Sequence, residues 1–402
     1  MRAERWSVFV IFAINGIVVG SWAPRMPTFA AQIGANEGQL GLALLGGSIG
    51  MIAAASTTGR WCARSGARLV ILVSALATVV ALPVLATVGS PLQLGAALVL
   101  LGATVGMLDV AMNVAAVTVV RRTGRPIMPV FHAGFSFGAL GGSMGAAFAA
   151  GHDIGLLDHF LVVSALVLVV NLAVIRFVPR EEPATGEAQR PADRRMLRRP
   201  VLWLLGTIAL CSAIVEGASG DWSALFAVRE RGLDEAAAAV TFSVFCVAMA
   251  LVRLVGEQAE RRWSQERLLI AGSLTAAFGL LLTAIVPVAA LAYVGFALAG
   301  GGLAFAFPIA LNLAGAVGRR ADGTGGEHEI GFVTTIAYSG FLIGPPIMGG
   351  VAHLTNLEVA VAFSGVVAAL IAPVALAAAA ARRREEAIRE KQLSGRSVAG
   401  RR

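Results

Sequence analysis

Long apolar runs separated by short polar turns fill the chain from residue 6 to residue 381. A helix needs about 20 consecutive, mostly apolar residues to cross the hydrocarbon core of a bilayer. Twelve segments satisfy that pattern: 6–30, 39–60, 69–88, 91–120, 129–151 and 157–178, then 200–228, 236–256, 267–286, 289–317, 330–352 and 357–381. Residues 179–199, polar and arginine-rich, read as a linker, and 382–402 as a basic tail that begins helical. The expected organisation is therefore a six-helix bundle over 1–178, the linker 179–199, a second six-helix bundle over 200–381, and the tail. The fold class is an all-α membrane protein of twelve transmembrane helices. The charged stretch Met1–Arg5 before the first apolar run has the outline of a signal peptide. That run is too long and lacks a small-residue cleavage site, so it reads as a retained first helix.

Composition narrows the class further. Of 402 residues, 57% are hydrophobic and only 14% charged, against about 25% charged in a soluble domain. Glycine, at 47 residues, is also more frequent in membrane helices than in soluble ones. These figures exclude an ordinary soluble enzyme. The net charge of +8 comes from 32 basic residues, all but Lys391 arginine, and they lie in short turns and the tail. They read as a topology signal rather than a nucleic-acid face, and no nucleic-acid partner is expected. With the N-terminus in the cytoplasm, the even-numbered turns, the linker and both termini carry 29 of the 32, leaving only Arg25, Arg229 and Arg231 outside. Cys62, Cys211 and Cys246 have no CxxC spacing, so neither a metal nor a disulfide framework is expected. HExxH, GxSxG and P-loop patterns are absent, and Glu327-His328-Glu329 lacks metalloprotease spacing, so no enzyme activity is expected.

The two halves repeat with a period near 200. Gly20-Ser21-Trp22-Ala23 matches Gly220-Asp221-Trp222-Ser223, and Leu108–Ala115 matches Phe307–Ala314, which aligns Asn113 with Asn312. Gly134-Phe135-Ser136 matches Ala337-Tyr338-Ser339. Repeated six-helix halves with a site at the midplane between them are the architecture of the major facilitator superfamily.

Local motifs strengthen that likeness. After the second span, Gly59-Arg60-Trp61-Cys62-Ala63-Arg64-Ser65-Gly66-Ala67-Arg68 resembles the superfamily's GxxxDRxGRR loop, with Ala63 where an acid is expected. After the eighth span the acid persists as Glu260, beside Arg261. The resemblance implies a cytoplasmic gate of ion pairs and helix-end contacts involving Gly59, Arg60, Arg64, Arg68, Glu260 and Arg261. The stretches 21–27, 109–113, 131–138 and 216–226 resemble the bacterial inner-membrane YbjJ group, often placed near the fucose–proton symporter branch. The fourth span has no arginine, and Ala139 replaces the proline of the GxxxGPxxGG run that drug–proton antiporters share. Both departures lean away from drug export.

Ionisable side chains inside membrane helices are functional candidates by default. Asp109 lies 12 residues before Arg121, roughly 18 Å from the helix end. A carboxyl at that depth can take up and release a proton as its surroundings alternate between dry and wet. A permanently hydrogen-bonded structural Asp is the other reading. Asn113 shares its face at i+4. His132, whose ordinary pKa lies near neutrality, is a candidate relay or a hydrogen-bonded helix contact. Glu216 and Asp221 stand about 140° apart on an ideal helix. Glu216, the deeper, is taken as the second proton-coupling carboxyl, and Asp221 as one member of an outer ion pair with Arg25 or Arg229. Asn15, Trp22, Asn113, Ser136, Trp222, Asn312, Tyr338 and Ser339 are the candidate substrate-binding set, although the two tryptophans suit an interfacial belt equally well. Pro24, Pro27, Pro308, Pro345 and Pro346 should bend their helices.

Together these features predict a monomeric secondary transporter in the inner membrane, surrounded by lipid. It would move a small polar solute, such as a sugar or related metabolite, by alternating access. The proton gradient would be its energy source, with no cofactor. Proton-driven export of a metabolite or toxic compound, and a non-transporting sensor, are the alternatives.

Overall fold

The computed structural model describes residues 2–123, 127–180, 198–318 and 327–399. Among them no strand occurs. The chain runs through α1 (Arg2–Trp22), α2 (Met26–Ile33), α3 (Glu37–Ser65), α4 (Ala67–Ala86), α5 (Pro91–Thr123), α6 (Met128–Gly151) and α7 (Leu156–Val174). The second half holds α8 (Pro200–Arg231), α9 (Glu235–Leu254), α10 (Gly256–Arg262), α11 (Gln265–Ile285), α12 (Ala289–Leu303), α13 (Ala306–Gly318), α14 (Glu327–Leu354) and α15 (Leu357–Ala399). Arg125, Arg319, Arg320 and most of the linker lie outside the described residues.

Eleven stretches are long and apolar enough to cross a membrane, with α1–α2 and α12–α13 each counting as one. The fifth expected span, α6, is not among them. Its 24 residues reach about 36 Å, but glycines, serines and His132 dilute its hydropathy. It packs against α1 and α9, while Phe137, Met144 and Phe148 stand exposed on another face, as a lipid-facing side requires.

Prolines set the breaks. Proline lacks an N–H and clashes with the carbonyl four residues earlier. Between Pro24 and Pro27 the first span tightens into a 3-10 turn, Ala23–Arg25. Pro308 follows the interruption between α12 and α13, and the Ala304 carbonyl four residues before it accepts from Arg253 Nε at 3.3 Å.

The sequence repeat reappears in the helix ends. Gly34 (φ 61°) and Gly232 (φ 64°) close α2 and α8 in the left-handed conformation that glycine adopts without strain. Two residues later Asn36 and Asp234 cap α3 and α9, accepting from Gln39 N and Ala237 N at 2.9 and 2.8 Å.

Helices inside a half are joined along small-residue seams, as membrane helices must be where lipid supplies no hydrophobic drive for association. Along α1 and α6, a Cβ on Gly16 would lie 2.7 Å from the Ala139 nitrogen and press on the Phe135 carbonyl. Contacts between the halves are different. They join α3 to α14 and α6 to α9, and the described ones gather toward one end of the bundle. There a Cβ on Gly41 would meet the Pro345 carbonyl at 2.6 Å and Gly349 Cα at 2.9 Å. Ser48 Oγ donates to the Phe341 carbonyl at 2.7 Å, and the Ser143 and Ser243 hydroxyls bond each other. Glu37 pairs with Arg229, and Thr28 Oγ1 donates to Glu235 at 2.7 Å. This is the arginine-poor end. At the arginine-rich end Arg122 pairs with Glu4 at 2.6 Å and Arg199 with Glu385 at 2.6 Å, each within its own half.

Replacing Gly16 by Val should overpack the α1–α6 seam at a cost of about 1–3 kcal/mol. Gly141→Ala, where an added Cβ meets nothing within 4 Å, should not destabilise. Thermal unfolding of the purified variants in detergent checks both. Equal midpoints would mean that the seam does not bear on stability.

Candidate binding cavity

A cavity of about 450 Å³ lies between the halves, lined by α1, α3, α5 and α6 on one side and α8, α9, α13 and α14 on the other. With the described inter-half contacts at the arginine-poor end, access to it is from the arginine-rich end.

Three carboxyls line it, at different levels. Counting 1.5 Å per residue from the arginine-rich ends of their helices, Asp109 on α5 stands at roughly 21 Å, Glu216 on α8 at roughly 24 Å and Asp221 at roughly 31 Å. His132, in the first turns of α6, and Arg253, in the last turn of α9, lie near the mouth. Glu216 and Asp221 make no hydrogen bond or ion pair among the described residues. Asp109 receives only a long contact, 3.5 Å, from Asn113 Nδ2, which donates mainly to the Asp109 backbone carbonyl at 2.8 Å.

Charges act across this space. Arg253 lies within electrostatic reach of His132 on the other half, and Asp109 within reach of Tyr338. Glu216 and Arg253 both act on Cys246. His132 stacks edge-on against Phe12, with ring centroids 5.2 Å apart. Asn15 is 1% exposed and lines the cavity, yet its Oδ1 has no partner among the described residues.

The expected residues fall into two groups. Asp109, Glu216, His132, Asn15, Trp22, Ser136 and Tyr338 line the cavity. Asn113, Trp222, Asn312 and Ser339 do not. Asn113 is turned back onto its own helix at Asp109. Ser339 Oγ donates to the Ile336 carbonyl at 2.6 Å, and Asn312 is exposed elsewhere. Trp222, though aligned with Trp22, is 1% exposed inside the core. The repeat diverges here because the first span breaks directly after Trp22 while α8 continues past Trp222.

The outer pair of Arg25 with Asp221 does not form. Arg25 Nη2 donates to the Ile154 carbonyl at 3.1 Å and lies within electrostatic reach of Glu235. Arg229 is taken by Glu37, which leaves Asp221 to the cavity. Nor do the expected gate residues pair with one another among the described residues. Gly59, Arg60 and Arg64 are exposed, Arg68 is half-buried and Arg261 is exposed. Arg60 and Arg64 have no hydrogen bond or ion pair among the described residues, and Glu260 accepts from Gln265 at 3.1 Å.

Two charged cavity residues run against the linear pattern, which points Asp221 outward and groups Arg253 with the turn arginines. Arg253 falls within the expected span 236–256, so the rule that ionisable groups inside spans are functional candidates would have found it. Its orientation, set by the carbonyl opposite Pro308, had no linear signal.

Comparison with known proteins gives a consistent picture. The family model described as Major Facilitator Superfamily matches residues 8–325. An uncharacterised MFS-type transporter of Yersinia pestis is 32% identical over 383 residues, covering 95% of this chain and 96% of that protein. Among solved structures, the nucleoside transporter NupG superposes with a TM-score of 0.75 at 12% identity, covering 94% of this chain and 99% of that one. A variant of the E. coli fucose:proton symporter FucP superposes with a TM-score of 0.63 at 16% identity, covering 92% of this chain and 97% of that one.

In a background with Cys62, Cys211 and Cys246 replaced, a Ser136→Cys thiol should react readily with a water-soluble maleimide. A Ser143→Cys thiol, packed against α9, should react at least about tenfold more slowly, because its exposure requires the arginine-poor end to part. Equal labelling rates would contradict the closed end described above.

Proposed function

The chain belongs to the major facilitator superfamily of transporters, and on that premise we propose that it carries a small polar solute across the inner membrane by proton-coupled alternating access. The observation that carries this reading is the set of cavity-facing carboxyls, Asp109 on one half and Glu216 on the other, at similar depth between two bundles joined at one end only. An unpaired carboxylate in a low-dielectric site is costly, and protonation or a bound partner relieves that cost. Each rearrangement of the halves changes how much water reaches these groups, which is what couples proton uptake to movement.

With the arginine-rich turns placed in the cytoplasm, this conformation is closed outside and open inside. Arg60, Arg64, Glu260 and Arg261 then belong to the surface that meets when the cavity turns outward. The solute would sit among Asn15, Trp22, Ser136 and Tyr338, whose polar edges and rings suit a sugar or related metabolite. The fold-level likeness to a fucose:proton symporter supports the same class. A monomer suffices, since the cavity is built within one chain.

The test is reconstitution in lipid vesicles with an imposed proton gradient and a panel of labelled solutes. Gradient-driven accumulation should fall at least about tenfold in Asp109→Asn and in Glu216→Gln, while gradient-independent exchange of the same solute persists, because losing the proton site removes coupling but not the cavity. If both variants still accumulate solute against its gradient, the proton assignment is wrong.

A further inference from the structure

The cavity combines carboxyls with several aromatic side chains in a largely apolar wall. Three carboxyls face it, yet the one arginine among the lining residues, Arg253, is near the mouth and tethered to the Ala304 carbonyl. Asp221 is the deepest carboxyl. The arginines nearest its end of the bundle are committed elsewhere. Arg25 bonds Ile154 O, Arg229 pairs with Glu37, and Arg231 pairs with Glu358 at 2.7 Å and lies over the Phe226 ring. Among the described residues Asp221 therefore has no cation paired with it.

Asn15 is the second, independent observation. Asn15 lines the cavity, and its buried Oδ1 accepts nothing among the described residues. A buried acceptor without a donor costs about 1–3 kcal/mol, so a ligand donor at that position is favoured. Trp22, Phe242 and Phe245 line the same cavity, and Trp22 lies just before the 3-10 turn that packs on α8, the helix bearing Asp221. Aromatic faces beside a carboxylate attract an organic cation.

We propose that the cavity takes a small polar solute bearing a protonated amine, with the ammonium received by Asp221 and a further N–H or O–H of the solute received by Asn15. The statement rests on the transport reading only in taking this cavity as the solute site. It adds the charge class of the solute and moves Asp221 from an outer ion pair to a binding role. Asp109 and Glu216 remain free to handle protons.

Binding to the purified protein in detergent, without any gradient, tests this apart from transport. Intrinsic tryptophan fluorescence is titrated with two matched series, glucosamine, glucose and glucuronate, and benzylamine, benzyl alcohol and benzoate. In at least one series the amine should bind about tenfold or more tightly than its neutral and anionic counterparts, the scale of one charge-assisted hydrogen bond. Asp221→Asn, isosteric with the native side chain, should bring amine and neutral member within about threefold of each other, while Asp221→Glu should keep the preference. Unchanged thermal unfolding midpoints would show that these variants remain folded. The proposal is overturned if no amine binds, if the neutral or anionic member binds as well or better, or if Asp221→Asn keeps the amine preference. Proton-driven flux of a neutral solute in vesicles would leave the transporter reading standing while removing the amine.

Discussion

Lipid offers membrane helices no hydrophobic reason to associate, so they hold together only where backbones come close enough for dispersion and polar contacts to act. Everything else in this chain follows from where it allows that closeness. Within the first half, Gly16, Gly20, Gly138 and Gly142 bring α1 and α6 into backbone contact, and Gly46, Gly50 and Gly102 do the same for α3 and α5. Those seams run along much of each helix and pack the α1–α6 and α3–α5 pairs backbone to backbone. Between the halves the corresponding contact, Gly41 against Gly349, occupies only one end. A bundle zipped at one end and unzipped at the other necessarily encloses a cavity.

The joining groups suit a contact that the proposed alternating access would break repeatedly. Glu37 and Glu235 each follow a helix cap two residues beyond a left-handed glycine. Each reaches across to the opposite half, Glu37 to Arg229 and Glu235 to Thr28. The arrangement is reciprocal, as the internal repeat demands. Partly exposed ion pairs of this kind contribute about 0–1 kcal/mol each, and the paired Ser143 and Ser243 hydroxyls add a neutral bond. Several weak contacts close the end without making it permanent. A single deeply buried ion pair would impose a much larger penalty on separation.

Much of this was legible in the linear sequence. Hydrophobic run length located the helices, α6 included, although its glycines hold its hydropathy below that of the eleven stretches apolar enough to cross a membrane. The aligned repeats showed that two bundles face each other, and the depth of Asp109 and Glu216 placed them in the cavity. Side-chain direction was not legible. Trp22 and Trp222 align, yet one lines the cavity and the other is sealed in the core, because a proline-bounded 3-10 turn follows only the first. Asn113 and Asn312 align, yet one folds back on Asp109 and the other is exposed elsewhere. Repeats preserve backbone position. Which way a side chain faces depends on breaks that the two copies do not share. The same Glu-after-cap pattern at Gly34–Glu37 and Gly232–Glu235 stood in the sequence and marked the inter-half contacts.

That loss of symmetry is where the chain departs from being two copies of one bundle. Pro308 has no counterpart in the first half, where Asp109 occupies the aligned position. The proline interrupts the tenth span and leaves the Ala304 carbonyl unpaired within its helix, and Arg253 bonds to it. The first half thus contributes a carboxyl where the second contributes a helix break that anchors a guanidinium. The second half also carries both α8 carboxyls. Its charges are spread along the cavity, Arg253 near the mouth, Glu216 midway and Asp221 deepest, while the first half supplies Asp109, Asn15 and Trp22. Rocking the halves therefore exposes an acidic, polarised wall of one bundle to the largely neutral wall of the other. Under the proposed proton coupling, an asymmetry of that form would let solute and proton be held by different groups in the same cavity.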